Sequence, residues 1–279
     1  MSAQNYLGIV QWILAEIQSR EMTAIKAAAR LMAASIRRKG RVYMFGSGHS
    51  VIPVLDIFPR YGGFVGFFPL CDPRLMWSNV IGPGGARELL WLERQEGYAK
   101  VFLQSFPLEP RDVMLVFSHG GLNAAPIEVA LEARARGLKV VAVSSHANAA
   151  AGRRPHSSGK ALSEIADVAI DNHVPPEDAL VDVGQTERVA AGSTVAAVSI
   201  AMALVAETAA ALAKAGKVPP TFVSPNVRGV PAGHMAGVYR AFTEFCYARP
   251  FKAAKRPGAR PGGKRAAKRP KAPAKGPRP

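Results

Sequence analysis

The sequence has only two cysteines, Cys71 and Cys246, in 279 residues. Two thiols build neither a disulfide framework nor a four-cysteine zinc site, and they fit a reducing compartment. The six histidines, at 49, 119, 146, 156, 173 and 234, show no paired HxxxH spacing, so no metal site is expected. No GxxxxGK[ST] loop is present. GSGHSV (46–51) carries Val51 where a dinucleotide fingerprint requires glycine, so neither ATP nor NAD is expected and no cofactor is assigned. The N-terminal stretch has an early acid and no basic region leading to a cleavage site, which reads as the absence of a secretory signal and a cytoplasmic location.

Acidic residues are missing from one region. Lys and Arg number 36 against 20 Asp and Glu, a formal charge of +16. Residues 251–279 hold 11 of those cations and no acid, leaving 25 basic against 20 acidic residues in 1–250. The basic character therefore belongs to a tail, and a uniformly electropositive nucleic-acid domain is disfavoured. Lys, Arg, Pro, Ala and Gly with one Phe cannot repay chain ordering, so the tail is expected to be disordered. Its two readings are a solubilising extension and nonspecific nucleic-acid contact through counterion release. The lack of interleaved aromatics argues against stacking on single strands.

Long hydrophobic runs are also scarce. VAAGSTVAAVSIAMALVA (189–206) is uncharged over 18 residues, the length that begins to span a bilayer. It is rich in Ala, Gly, Ser and Thr, and Glu207 follows at once. It reads as a buried central or interface helix, not a membrane span. No internal repeat is visible.

What is present is an alternation of strands and helices. Leu7, Val10, Ile13, Leu14 and Ile17 recur at helical spacing and predict one long helix over 4–38, stopped by Gly40. RVYMFG (41–46) is a short strand leading into GSGHS (46–50), followed by a helix over 51–60 and the apolar run FVGFFPL (64–70). Residues 71–86 read as a loop, and 86–106 as helix in two pieces around Gly97. DVMLVFS (112–118), a turn, AAPIEVALEARARG (124–137) and LKVVAVS (138–144) form a parallel βαβ unit. A polar loop (146–160), a short helix (161–166) and the strand DVAID (167–171) follow. Residues 172–192 are loop around a short strand ALVDV. Helices over 193–215 and 233–248 flank an extended TFVSPN. The pattern predicts a three-layer α/β domain with a mostly parallel sheet.

Ligands of such sheets bind beyond the carboxyl ends of the strands. Three of those ends carry glycine and hydroxyl residues: GSGHS, SHGGLN (118–123) and Ser144-Ser145-His146. Exposed backbone N–H groups, neutral hydroxyl donors and a following helix N-terminus make an anion cradle, with phosphate as the natural guest.

These segments, with HSSGKALSEIADVAID and GSTVAAVSIAMALVAE, resemble the sugar isomerase (SIS) domain family over about residues 4–226. The resemblance is nearest to the branch described as related to phosphoheptose isomerase. It implies a flavodoxin-like αβα sheet with an added N-terminal helix (1–40), a phosphosugar-binding domain (41–250), and subunits paired through helices. It also implies isomerase, ether-lyase or regulatory roles. By position, Gly46, Ser47, Gly48, His49 and Ser50 match the family's first loop. Ser118, Gly121 and Asn123 match its Ser-x-Ser-Gly phosphate loop. Gly120 stands where the second serine is expected, which removes one hydroxyl donor. Ser144, Ser145, Ser193 and Thr194 complete the expected phosphosugar contacts.

Aldose–ketose interconversion needs a base beside the carbonyl carbon and a proton donor for the oxygen. Glu96 is the expected base, with Glu93 its rival, in a stretch similar to that carrying acidic groups in heptose isomerases and etherases. His156 is the expected proton donor, His49 a sugar-hydroxyl contact, and Glu187 a further carboxylate near a helix start. Two long apolar-faced helices exceed what one sheet covers, so a homodimer or larger assembly is expected. A non-catalytic sugar-phosphate sensor whose tail meets nucleic acid, and an interaction protein on the same scaffold, stand beside the enzyme.

Overall fold

A computed structural model of the chain describes residues 2–76, 85–216 and 218–249. Residues 77–84 of the loop expected over 71–86, and the disordered tail expected over 251–279, lie outside the described residues. In chain order the elements are α1 (Ser2–Arg20), α2 (Met22–Arg37), β1 (Val42–Gly46), α3 (Val51–Ile57), β2 (Phe67–Leu70), α4 (Gly85–Leu92) and α5 (Tyr98–Phe102). Next come β3 (Val113–Phe117), α6 (Ala124–Ala135), β4 (Lys139–Ser144), α7 (His146–Ala151), α8 (Leu162–Ile165) and β5 (Val168–Asp171). The hairpin strands β6 (Ala179–Val181) and β7 (Val189–Ala191), then α9 (Ser193–Lys214) and α10 (His234–Tyr247), complete them.

Five parallel strands lie in the order β2-β1-β3-β4-β5, with Val42 opposite Val113 and Val113 opposite Lys139. VYMFG and VMLVF are buried at every position, as strands covered on both faces require. Alternate side chains go to opposite layers. Met44, Leu115, Phe117 and Val143 join α1, α2, α3 and α9, while Phe45, Met114, Val116 and Ala142 join α5, α6 and α8. The result is the flavodoxin-like αβα arrangement, whose strand order reverses between β1 and β3. That reversal places the loops after these two strands on either side of a crevice. α9 is apolar and long enough to cross a membrane by length and composition alone. Here it buries Ala196, Ile200, Leu204 and Leu212 and packs on α1, α2 and α3.

The single N-terminal helix expected over 4–38 is instead two. The chain bends at Glu21, whose N–H still donates to Ile17 O at 2.9 Å. The Glu21 carboxylate accepts the Asp171 N–H at 3.2 Å and lies 3.1 Å from His173 Nε2. The bend carries α1 toward β6 while α2 stays on β5 and α9. The polar stretch 146–160 contains a helix, α7, because Ser145 Oγ accepts the Asn148 N–H at 3.1 Å and caps it.

α10 closes the amino edge of the sheet. Arg41, 3% exposed, lies between the Phe68 and Phe245 rings at 5.0 and 5.1 Å, and its Nη2 donates to Phe245 O at 2.5 Å. Arg249 grips both oxygens of the buried Asp112 at 2.7 and 2.9 Å. Those oxygens also accept the Arg41 and Glu109 N–H groups.

α2 ends in an arrangement that tests this packing. Lys39, not glycine, takes the left-handed conformation (φ 58°). Gly40 is required for space, since a Cβ there would lie 2.3 Å from Ser35 Oγ and 2.6 Å from Arg111 O. Urea unfolding is expected to show Gly40→Ala destabilising by about 1–3 kcal/mol and Lys39→Gly stabilising by about 1 kcal/mol. Identical midpoints for the two variants would contradict this packing.

Candidate functional site

The glycines of GSGHS shape the turn out of β1. A Cβ at Gly46 would lie 2.0 Å from Ser50 O, and Gly48 has φ 57°. Ser47 leaves that turn facing the α4 side, and its Oγ donates to Glu93 Oε2 at 2.8 Å. On the far side of the crevice, Asn123 precedes α6 and its Nδ2 donates to Glu93 Oε1 at 2.8 Å. The Glu93 backbone carbonyl accepts the Ala125 N–H at 2.9 Å. Glu93 therefore ties the β1 turn to the β3 turn through both carboxylate oxygens. It is 7% exposed. Burial pushes its carboxyl pKa up, opposed in part by the Ser47 hydrogen bond and the nearby Arg94 charge.

Glu96 lies three residues on and faces outward. It accepts the Ser157 N–H at 2.6 Å and the Ser157 hydroxyl, and these bonds hold its pKa down. His156 Nε2 lies 3.9 Å from Glu96 and 4.0 Å from Glu128. His156 Nδ1 accepts the Ser158 N–H at 3.1 Å, which places the ring proton of the neutral imidazole on Nε2. The structure thus brings Glu96 and His156 together, while making Glu93 the more basic of the two carboxylates. Glu128, not singled out in the sequence, accepts the Gly97 and Ala99 N–H groups and holds the start of α5.

The remaining expected residues divide. His49, Ser50, Ser118, Ser193 and Thr194 line one hollow with His119 and Asn172. Its free volume is about 10 Å³, room for about one water, so no sugar fits inside it. Ser118 Oγ accepts the Gly121 N–H at 3.1 Å, and Gly121 takes φ 63° to make the turn. Gly120 is open: a Cβ there would meet only Asn148 Nδ2, at 3.6 Å.

Two expected ligand residues are engaged in the scaffold instead, and a third, Ser144, is buried with its Oγ unpaired among the described residues. Ser145 is fully buried, caps α7 and donates from Oγ to Val174 O at 2.6 Å. Ser144 is 1% exposed. Ser193 donates its N–H and its hydroxyl to the Asp178 carboxylate, each at 2.7 Å. Asp178 also accepts the Gly192 N–H, so the α9 N-terminus already holds an anion. That is the position expected for Glu187, which lies exposed between β6 and β7. Asp178 gives no signal in the sequence because its φ of 63° and its reach to residue 193 depend on the hairpin. Among the described residues no group of three or more His, Cys, Asp or Glu could hold a metal ion.

Fold and site together define a doubly wound α/β domain with glycine- and hydroxyl-bearing turns at its switch point and a buried carboxylate between them. The SIS domain profile matches residues 5–145, and the chain belongs to the SIS domain family. A UPF0309 protein of Halalkalibacterium halodurans is 34% identical over 230 residues, covering 82% of this chain and 93% of that protein. A UPF0309 protein of Streptomyces coelicolor is 34% identical over 230 residues, covering 81% of this chain and 90% of that protein. The structure of phosphoheptose isomerase from Neisseria gonorrhoeae superposes with a TM-score of 0.51 at 14% identity, covering 73% of this chain and 95% of that one. At that identity the likeness is one of fold.

The Glu93 shift has a thermodynamic consequence. A carboxyl with a raised folded-state pKa holds its proton more tightly folded than unfolded. Stability is therefore lost as pH rises from the unfolded value, about 4.3, through the folded one. Glu93→Gln removes that loss. The variant is expected to gain stability relative to the parent as pH rises above about 4 in urea melts, whereas a gap independent of pH would contradict the shift.

Proposed function

We propose that this chain binds a phosphorylated sugar across the carboxyl edge of the sheet and interconverts its aldose and ketose forms, with Glu93 as the base. The sugar lies over the mouth of the hollow, since the interior is too small for it. The N–H groups and hydroxyls of the Ser118–Asn123 turn and the β1 turn face the phosphate. Membership of the SIS family supplies the substrate class.

One observation carries the reading: a buried carboxylate of raised basicity, held by one side chain from each loop of the switch point. Removing a proton from the carbon beside a carbonyl asks for such a base. A positioned base contributes about 10²–10⁴-fold to rate. The proton returns to the adjacent carbon, and the oxygen proton moves through a separate donor, for which His156, carrying its proton on Nε2, is the candidate. The outward Leu7 and Trp12 of α1 suit the helix-mediated pairing of subunits that the family resemblance implies.

A second reading, binding without turnover, is favoured by Gly120 and by the Asp178 carboxylate at the α9 N-terminus, which together thin the phosphate cradle. In that reading Glu93 only clamps the loops.

Proton NMR in D₂O separates the two. With a panel of hexose, heptose and amino-sugar phosphates, the parent chain is expected to exchange the proton on carbon 2 of its substrate. Glu93→Gln slows exchange by about 10²–10⁴-fold while calorimetric affinity stays within about threefold. Binding without exchange selects the second reading, and no binding to any of the sugars rejects both. Because position 120 has room, Gly120→Ser restores a hydroxyl donor and is expected to tighten sugar-phosphate binding about tenfold or more. An unchanged affinity would place the phosphate elsewhere.

A further inference from the structure

We propose that Asn148 of α7 is a phosphate-binding residue, its side-chain amide supplying the donor that Gly120 lacks. The inference rests on the sugar-phosphate reading and adds to it a residue from the β4 end of the sheet, where Ser144 and Ser145 are buried.

The ladder between β3 and β4 continues past the ends of the strands. Phe117 lies opposite Val143. Beyond that pair the Ser118 N–H donates to Val143 O at 3.0 Å, and the Ser145 N–H donates to His119 O at 2.8 Å. The turn after β3 and the start of α7 therefore run side by side. Ser145 Oγ fixes the first turn of α7 by accepting the Asn148 N–H at 3.1 Å. A helical side chain leans back over the turn that precedes it, which carries Asn148 across to Gly120. A Cβ on Gly120 would lie 3.6 Å from Asn148 Nδ2, and among the described residues no other atom outside its chain neighbours comes within 4 Å of it. A serine hydroxyl at 120 and the Asn148 amide would serve the same space.

Two contacts settle which end of the amide faces that space. Asn148 Nδ2 lies 3.3 Å from Pro176 O. A carbonyl oxygen only accepts, so the atom beside it is the nitrogen. The amide oxygen turns toward Gly152, where a Cβ would lie 3.2 Å from Asn148 Oδ1 and 2.4 Å from Leu122 Cδ1. Glycine at 152 thus lets the end of α7 close on both the amide and the turn after β3. Pro176 O takes one hydrogen of the NH₂ group, and among the described residues nothing accepts the other.

The other polar groups of this flank are engaged. His119 Nε2 donates to Pro176 O at 3.4 Å, and its Nδ1 accepts the Asn172 amide at 3.3 Å. With both ring nitrogens held, His119 has no proton to offer a phosphate, and the Ser145 hydroxyl points to Val174 O. Asn148 is half-buried and keeps an open donor beside the position that lacks one.

Calorimetry of the full chain with inorganic phosphate, and with the hexose, heptose and amino-sugar phosphates, tests the assignment. Asn148→Ala is expected to weaken every phosphate ligand that the parent binds by about tenfold or more. The double variant G120S/N148A returns a donor from the opposite side of the same space, and is expected to bind within about threefold of the parent. A purely structural defect at 148 would not be repaired from position 120. Asn148→Asp keeps the shape of the side chain but sets a negative oxygen against the phosphate, and is expected to bind more weakly than Asn148→Ala. Parental affinity in Asn148→Ala overturns the proposal and leaves the sugar reading standing. So does a double variant no tighter than Asn148→Ala, or an Asn148→Asp that binds better than Asn148→Ala. A parent chain that binds none of these phosphates removes the sugar reading and this proposal together.

Discussion

A carboxylate withdrawn from water costs several kcal/mol unless its oxygens are hydrogen-bonded, and Glu93 meets that condition with a donor from each of two loops. Ser47 belongs to the turn after β1 and Asn123 to the turn after β3. Those strands adjoin in the sheet but are separated in sequence by β2 and its following helices. The arrangement of the carboxyl edge depends on this tie. Loosening it would free both turns and leave two polar side chains unmatched in a desolvated crevice. The same constraint makes Glu93 more basic than a carboxylate in water, which turns a structural clamp into a candidate base.

Two ends of one sheet carry opposite chemistries. At the carboxyl edge, turns present N–H groups and hydroxyls around a single buried acid. At the amino edge, Arg41 and Arg249 hold α10 against Phe68 and Asp112, and exposed cations end α2 and α6. The topology of a parallel sheet separates these two chemistries without a second domain. Strands all point one way, so loops of one kind collect at each end.

Much of this was legible in the residues. VYMFG, VMLVF and VVAVS are strands covered on both faces, and such strands read as unbroken apolar runs. The turns follow from glycine spacing, and the family resemblance rested on them. What could not be read depends on distant contacts. The bend at Glu21 is tied to Asp171 and His173, 150 and 152 residues away. The α9 N-terminus reads as an open anion site until Asp178 is seen to fill it. Ser145 reads as a ligand by its place after β4, but its hydroxyl caps α7. Glu93 and Glu96 are equivalent in sequence, each a glutamate near a helix end. Only the fold turns one inward to Ser47 and the other outward to Ser157.

The central claim is that Glu93 is a basic, buried carboxylate facing a phosphosugar. Difference infrared spectroscopy of the parent chain against Glu93→Gln, titrated with and without sugar phosphate, measures it directly. A carboxyl band titrating above the ordinary glutamate value, and moving further up when the phosphate dianion binds nearby, is the predicted result. A band that titrates near about 4.3 and ignores the sugar phosphate would contradict the account.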